Sequence, residues 1–417
     1  MNSSGEAAPA IDADRVLADL RDLADLTAGS EGARRVCWTE VWESARSLLR
    51  ERLSEIGVDD VEIDEAGNLW ARLPGRDRDA PALAVGSHLD SVPNGGPLDG
   101  ALGVMAGLGV LRAWVDSGGM PPRDVVLIDF ADEEGSRFGR SLFGSSALAG
   151  TLVPAELAHL TDAGGEAIAD VLAGHGVELA RAPEAAGRIG AIGSYFELHI
   201  EQGPVLESEG LPCSAVSGTA GVERHIFEFE GQASHAGTTP MDQRRDAGLA
   251  AAETALEIER IAREHGGVAT TGRIDLEPGI ITAVAGRANL SVDLRHPESE
   301  PLALMHEAAL AAARSAAARR DCGFGTSLVW RIEPIHFDAR LVGMAEQSVA
   351  AAGGRETALA SGALHDAAEM ARHIPTVMVF AASVAGISHA KEEHSTDEAL
   401  RAAIAAYGDL TSAELLG

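Results

Sequence analysis

Leu, Val and Ile alternate with charged residues at helical spacing over 13–27 and 38–56, which predicts two amphipathic helices. From about residue 60 the texture changes to short apolar runs that stop at polar, often glycine-bearing clusters. Residues 82–85 stop at Gly86-Ser87-His88, and 125–130 at Asp132-Glu133-Glu134-Gly135. Residues 195–200 contain His199 and stop at Glu201-Gln202-Gly203. Helical stretches such as 100–116 lie between these runs. Strands alternating with helices predict an α/β domain with a mostly parallel sheet. In such sheets, sites form in the crevice at the carboxyl ends of the strands, which is where these polar clusters fall.

The pattern is different from about 215 to 332. A strand pattern at 223–230 precedes an Ala-rich helix pattern at 244–264, and two strand patterns follow at 268–274 and 289–295. A second Ala-rich helix (301–319) and a last strand (326–332) complete the order β-α-β-β-α-β, that of a small ferredoxin-like α+β domain. The alternating texture then resumes, with polar clusters at 361–366 and 386–395. The chain therefore reads as one catalytic α/β domain made of 1–214 and 333–417, with a smaller domain, 215–332, inserted into it.

Composition narrows the function classes. With 417 residues the chain is long enough for two domains, and 46% apolar residues can fill two cores. Lys and Arg number 33 against 64 Asp and Glu, a formal net charge of −31 that opposes nucleic acid or an anionic membrane surface as partner. Cys37, Cys213 and Cys322 are odd in number and far apart, which argues against a disulfide framework or a cysteine zinc site. Residues 1–10 lack a basic and an apolar segment, and no uncharged run of 18 apolar residues occurs, so a cytoplasmic protein is expected.

Five clusters carry side chains suited to a divalent cation: His88-Leu89-Asp90, Asp99-Gly100, Glu133-Glu134, His199, and Ser388-His389 with Glu393 nearby. Imidazole and carboxylate donors suit Zn, Mn, Co or Ni. Two metals about 3.5–4 Å apart need a bridging carboxylate and about two further ligands each. The supply fits: His88 and His199 for one ion, Glu134 and His389 for the other, and Asp99 as the bridge. Asp90 is placed to orient the His88 imidazole. His394 is the rival to His389, which is preferred because it follows Gly-Ile-Ser directly after an apolar run. Glu133, beside a ligand, is the natural general base. Any one such His or Asp is more often an ordinary polar residue at a strand end; it is the convergence of several clusters that points to a two-metal hydrolase.

At these residues the chain resembles the M20-type metallopeptidase and amidohydrolase family. More narrowly it is similar to the hydantoinase/carbamoylase branch of N-carbamoyl-L-amino acid hydrolases, β-ureidopropionases and allantoate amidohydrolases. The matching segments include GSHLDSVPNGGPLDGALGV (86–104), DFADEEGSRFG (129–139), HIEQGP (199–204), HAGTTPM (235–241), SVDLRHP (291–297), SGALHDAAEMA (361–371) and GISHAKEEHS (386–395). The resemblance implies two divalent ions per chain, the metal and base roles given above, and a homodimer formed through a lid/dimerisation domain at 215–332. It also implies a small substrate with a free carboxylate, bound by Gln202, His235, Arg295 and His365. His235 would polarise the scissile carbonyl, Arg295 would hold the carboxylate, and His365 would lie near the carbamoyl end.

Three departures from the family pattern touch the substrate. Its substrate-binding Asn is Thr282 here, which keeps a hydroxyl but loses the paired donor and acceptor of an amide. The Gly before His365 is Leu364, and the usual Pro shortly after His389 is replaced by Lys391. None of these removes a metal ligand. Two rival activities share the fold: allantoate hydrolysis within the branch, and an M20-type metallo-exopeptidase. A non-catalytic relative would require a lost ligand or a lost Glu133, and all are present. The Glu-Glu-Gly-Ser-Arg-Phe, HIEQGP and HAGTTPM segments favour the amidohydrolase.

Overall fold

The computed structural model describes residues 9–417, which divide into two compact units. The first comprises residues up to Ser217, His336–Leu359 and Ala363–Gly417; the second comprises Gly218–Ile335 and Ala360–Gly362.

The first unit is built on a nine-stranded sheet. Its centre is four strands, in the order Thr376–Ala381, Ile192–Ile200, Ala82–His88 and Val125–Phe130, every adjacent pair parallel. Both flanks turn antiparallel. Cys213–Thr219 pairs with Thr376–Ala381 on one side, and Leu69–Leu73 with Val125–Phe130 on the other, followed by Val61–Ile63. The sheet is thus mixed rather than mostly parallel as the alternating pattern predicts. The difference lies in short flanking strands such as the three-residue Val61–Ile63, too short to leave a periodic signal.

The central strands are buried on both faces, so they read as continuous apolar runs instead of alternating ones. Successive side chains still point to opposite faces. Leu83, Val85, Leu127 and Val377 enter one core cluster, with the helices Ala13–Thr27, Ala101–Asp116 and Asp397–Leu416. Ala82, Ala84, Ile128 and Met378 enter the other. Each fully buried Leu, Val, Ile or Met contributes about 1.5–3 kcal/mol, enough to hold polar strand ends in unfavourable settings.

The second unit has an antiparallel sheet in the order Val268–Thr270, Arg287–His296, Gly221–Glu230, Gly323–Ile332, with Ile274–Glu277 also pairing along Arg287–His296. The helices Ala247–His265 and Ser299–Arg319 share a core with its inward residues Phe227, Phe229, Leu290, Val292 and Leu294. The edge strand Gly323–Ile332 leaves Leu328, Val329 and Trp330 exposed at 59%, 54% and 39%. No helix among the described residues is long and apolar enough to cross a membrane, and the three cysteines are free.

Candidate metal centre

Three central strands deliver polar residues at their carboxyl ends. His88 ends Ala82–His88, His199 is the penultimate residue of Ile192–Ile200, and Glu133-Glu134 follow Val125–Phe130. Asp99 sits just before the helix Ala101–Asp116, and His389 follows the 3-10 turn Val384–Gly386. Gly100, between Asp99 and that helix, has φ +64, and a Cβ there would lie 2.4 Å from the His88 ring, so only glycine lets the two approach.

Asp99 is the hub. Its Oδ1 lies 3.1 Å from His199 Nε2 and 3.7 Å from His88 Nε2. Its Oδ2 lies 3.4 Å from His389 Nε2, which is itself 3.5 Å from Glu134 Oε2. One carboxylate therefore addresses two donor pairs, one through each oxygen. His88, Asp99 and His199 bring ligand atoms within 4.8 Å of one another, and so do Asp99, Glu134 and His389. His394 stands outside both groups; its side chain is exposed and its carbonyl accepts from Val384 N.

The imidazoles are held so that Nε2 faces this centre. His199 Nδ1 lies 2.9 Å from the carbonyl of Ile200 and His88 Nδ1 lies 3.1 Å from that of Asp90, contacts that put the proton on Nδ1 and leave the lone pair of Nε2 facing the centre. Asp90 thus orients His88 mainly through its backbone. Its carboxylate, 3.5 Å from His88 Nδ1, instead accepts the N–H groups of Glu133 and Glu134 at 3.2 and 3.1 Å and shapes the turn that presents them.

Several further buried groups brace the centre. Glu393 accepts the backbone N–H groups of Leu98 and Asp99, both at 3.1 Å, and its other oxygen lies 3.2 Å from Ser388 Oγ. Glu197 accepts from Ser87 Oγ at 2.7 Å and from Ala367 N at 2.9 Å. Arg35, wholly buried, donates to the carbonyl of Leu89 at 2.8 Å. Glu197 could have been found from sequence, since a charge inside a strand apolar on both sides must have partners. Arg35 carries no such signal. Asp132, Gln202 and His389 adopt φ of +56, +57 and +56, which is rare for residues other than glycine and clusters at functional sites.

The donor set fits divalent cations on physical grounds. Buried carboxylates and imidazoles crowd together with too little positive charge. Burial, aided by Asp99, raises Glu134 to about 7, and the Asp99 carboxylate lifts His389 to about 9. Both kinds of group hold protons more tightly than they would alone, as expected where protons occupy a place suited to cations. His199 Nε2 and Glu134 Oε1 are buried with no hydrogen-bond partner, so the 3.1 Å approach of His199 to Asp99 lacks hydrogen-bond alignment. Two donors able to share one cation approach each other in this way.

Glu133 lies beside this set, its Oε2 3.7 Å from His88 Nε2. Burial, with Asp366, Glu134 and Asp90 nearby, pushes it well above the usual carboxylate range against the pull of His88. Gln202 Nε2 donates to Asp99 Oδ2 at 2.8 Å and lies 3.1 Å from Ser388 Oγ, while its Oε1 is buried without a partner. His365 packs 4.4 Å from the His199 ring, and burial next to His199 keeps its pKa well below that of a free imidazole.

The other three residues expected to bind substrate belong to the second unit. His235 is exposed, and its Nδ1 accepts the N–H of Gly237 at 3.1 Å, which places the ring proton on Nε2. His235 pairs with Ala283, and Thr282 lies next along that strand, its carbonyl accepting the N–H of Ala236 at 2.9 Å. Arg295 donates through Nε to Asp293 at 2.8 Å and through Nη1 to the carbonyl of Gly362 at 2.7 Å. It lines a cavity of about 590 Å³ with Arg224, Ser291 and Ser361.

Residues 84–413 match peptidase family M20/M25/M40. The N-carbamoyl-L-amino acid amidohydrolase of Geobacillus stearothermophilus is 38% identical over 370 residues, covering 88% of this chain and 90% of that one. The allantoate amidohydrolase of Bacillus subtilis is 30% identical over 383 residues, 91% of this chain and 92% of its own. A hydantoinase/carbamoylase-family amidase from Burkholderia multivorans, solved as a crystal structure, superposes with a TM-score of 0.90 at 32% identity, covering 98% of this chain and 99% of that one. With most of its length matched by the family and by relatives of similar extent, the chain belongs to peptidase family M20/M25/M40.

Proposed function

We propose that this protein is a metal-dependent amidohydrolase that cleaves the C–N bond of an N-carbamoyl amino acid or related ureido acid, releasing ammonia, carbon dioxide and the amino acid. The observation that carries the reading is Asp99, whose two oxygens face two separate donor pairs with Glu133 beside them. The names of the relatives supply the reaction class.

His88, His199 and Asp99 would hold one ion, and Asp99, Glu134 and His389 the other. Zn, Mn, Co or Ni bound there would polarise the scissile carbonyl and acidify an attacking water. Glu133 takes the proton of that water and passes it to the leaving nitrogen. The free Oε1 of Gln202 accepts an N–H of the ureido group, and neutral His365 lies at the carbamoyl end. His235 donates its Nε2–H to the carbonyl oxygen as charge develops there. Arg295, its guanidinium plane fixed by Asp293, takes the substrate carboxylate. The exposed apolar edge strand Gly323–Ile332 supports a homodimer formed through the second unit, because an uncovered edge of this kind is a template for pairing.

Thr282 stands where the family carries Asn, and that bears on which ureido acid is preferred. Metal-loaded protein should release ammonia from N-carbamoyl-L-amino acids, N-carbamoyl-β-alanine or allantoate, and release no amine from dipeptides. The rank order across that panel separates carbamoylase from allantoate hydrolase. Dipeptide cleavage without ammonia release from any ureido acid would replace this reading with an exopeptidase.

A further inference from the structure

The core of the second unit contains a cluster that the proposed reaction does not use. Glu223 and His225 lie two residues apart on the strand Gly221–Glu230, so both point to the helix-covered face, where Phe227 and Phe229 fill the apolar core. His306 reaches them from the helix Ser299–Arg319, and its ring stacks on that of His225 at 4.3 Å. A strand pair of this kind normally continues an apolar face. A glutamate and a histidine exposed by only 1% and 6% need partners.

Their partners account for only part of their capacity. His225 Nε2 lies 2.9 Å from Glu223 Oε2, a contact that places the His225 proton on Nε2 and leaves a lone pair on Nδ1. That Nδ1 is buried with no hydrogen-bond partner, and so is His306 Nε2. Arg331 Nη2 lies 2.7 Å from Glu223 Oε1 and balances the glutamate charge. Two orphaned imidazole nitrogens on adjacent elements, one of them on a ring backed by a carboxylate, supply the donors of a carboxylate–histidine–metal arrangement; because a nitrogen lone pair lies in the plane of its ring, the His306 ring must turn out of its stack on His225 for both to bind one ion. Glu223, His225 and His306 offer ligand atoms within 4.8 Å of one another.

We propose that Glu223, His225 and His306 form a separate site for one borderline divalent cation of the zinc type, with His225 and His306 as the nitrogen ligands. Neutral imidazoles select such ions over Mg or Ca. Bound there, the ion ties the helix Ser299–Arg319 to the strand Gly221–Glu230, a structural role distinct from the Asp99 centre.

The test is zinc stoichiometry. Full-length protein is stripped with a chelator, equilibrated with zinc, freed of excess by gel filtration and analysed for zinc per chain. His306→Ala, on a half-buried helix position where Ala is well tolerated, and the conservative His225→Gln are compared with wild type and with His199→Ala. The expected result is one zinc fewer per chain in either second-unit variant, with ammonia release by manganese-loaded enzyme unchanged. His199→Ala should lose zinc from the other centre and keep this one. Wild-type zinc content in both folded second-unit variants, verified by circular dichroism, would overturn the proposal.

Discussion

Replacing Glu133 by Gln should lower kcat about a hundredfold or more while leaving bound metal unchanged, the range expected for loss of a positioned general base. Glutamine keeps the size of the side chain but cannot accept a proton. The prediction is sharp because Glu133 and Glu134 are adjacent and share the Asp90 carboxylate as backbone acceptor, yet point to different work. Glu134 Oε2 approaches His389, whereas Glu133 Oε2 approaches His88. Glu134→Gln should therefore release part of the metal, and activity should return in excess metal. Elemental analysis alongside steady-state kinetics distinguishes the two variants. If Glu133→Gln loses metal and Glu134→Gln keeps it, the roles are reversed.

His235→Ala should lower kcat by about two to three powers of ten, as for a lost oxyanion donor. The ring offers its Nε2–H because Nδ1 is already committed to Gly237, and it is exposed, free to meet a substrate. His235→Gln retains an N–H donor and should restore part of the rate. Because His235 lies in the second unit, it can serve its own chain or a partner. Mixing His235→Ala chains with Glu133→Gln chains distinguishes these: recovered activity in confirmed heterodimers means donation between chains, and no recovery means action within one chain. An unchanged kcat in His235→Ala would remove it from the mechanism.

The grouping of the candidate ligands was more legible than the architecture around it. His88, Glu133, Glu134 and His199 could be picked out because each interrupts or ends an apolar run, and strands buried on both faces make such interruptions conspicuous. The helix Ala101–Asp116 and the second unit's helices Ala247–His265 and Ser299–Arg319 were also visible, since long elements carry many periods of their pattern. The antiparallel flank Val61–Ile63 and Leu69–Leu73 was not, because strand direction depends on pairing and a three-residue strand shows no period. Glu393 is a case between. Its place near His389 was plain, but its grip on the N–H groups of Leu98 and Asp99 joins residues nearly three hundred positions apart. The second strand pattern of the inserted segment, expected at 268–274, divides into Val268–Thr270 and Ile274–Glu277, each pairing with a different part of Arg287–His296. The left-handed backbone at Asp132, Gln202 and His389 had no compositional signal either, since none is glycine.

The most direct test of the account is a metal titration read by product. Protein stripped by a chelator and shown to be metal-free is reloaded with defined equivalents of manganese, cobalt, nickel or zinc. Ammonia release from an N-carbamoyl-L-amino acid is measured at each step. The expected result is no turnover in the stripped protein, a return of activity that requires both ions at the Asp99 centre, and no return in Asp99→Asn. Full ammonia release by protein verified to contain no metal would contradict it.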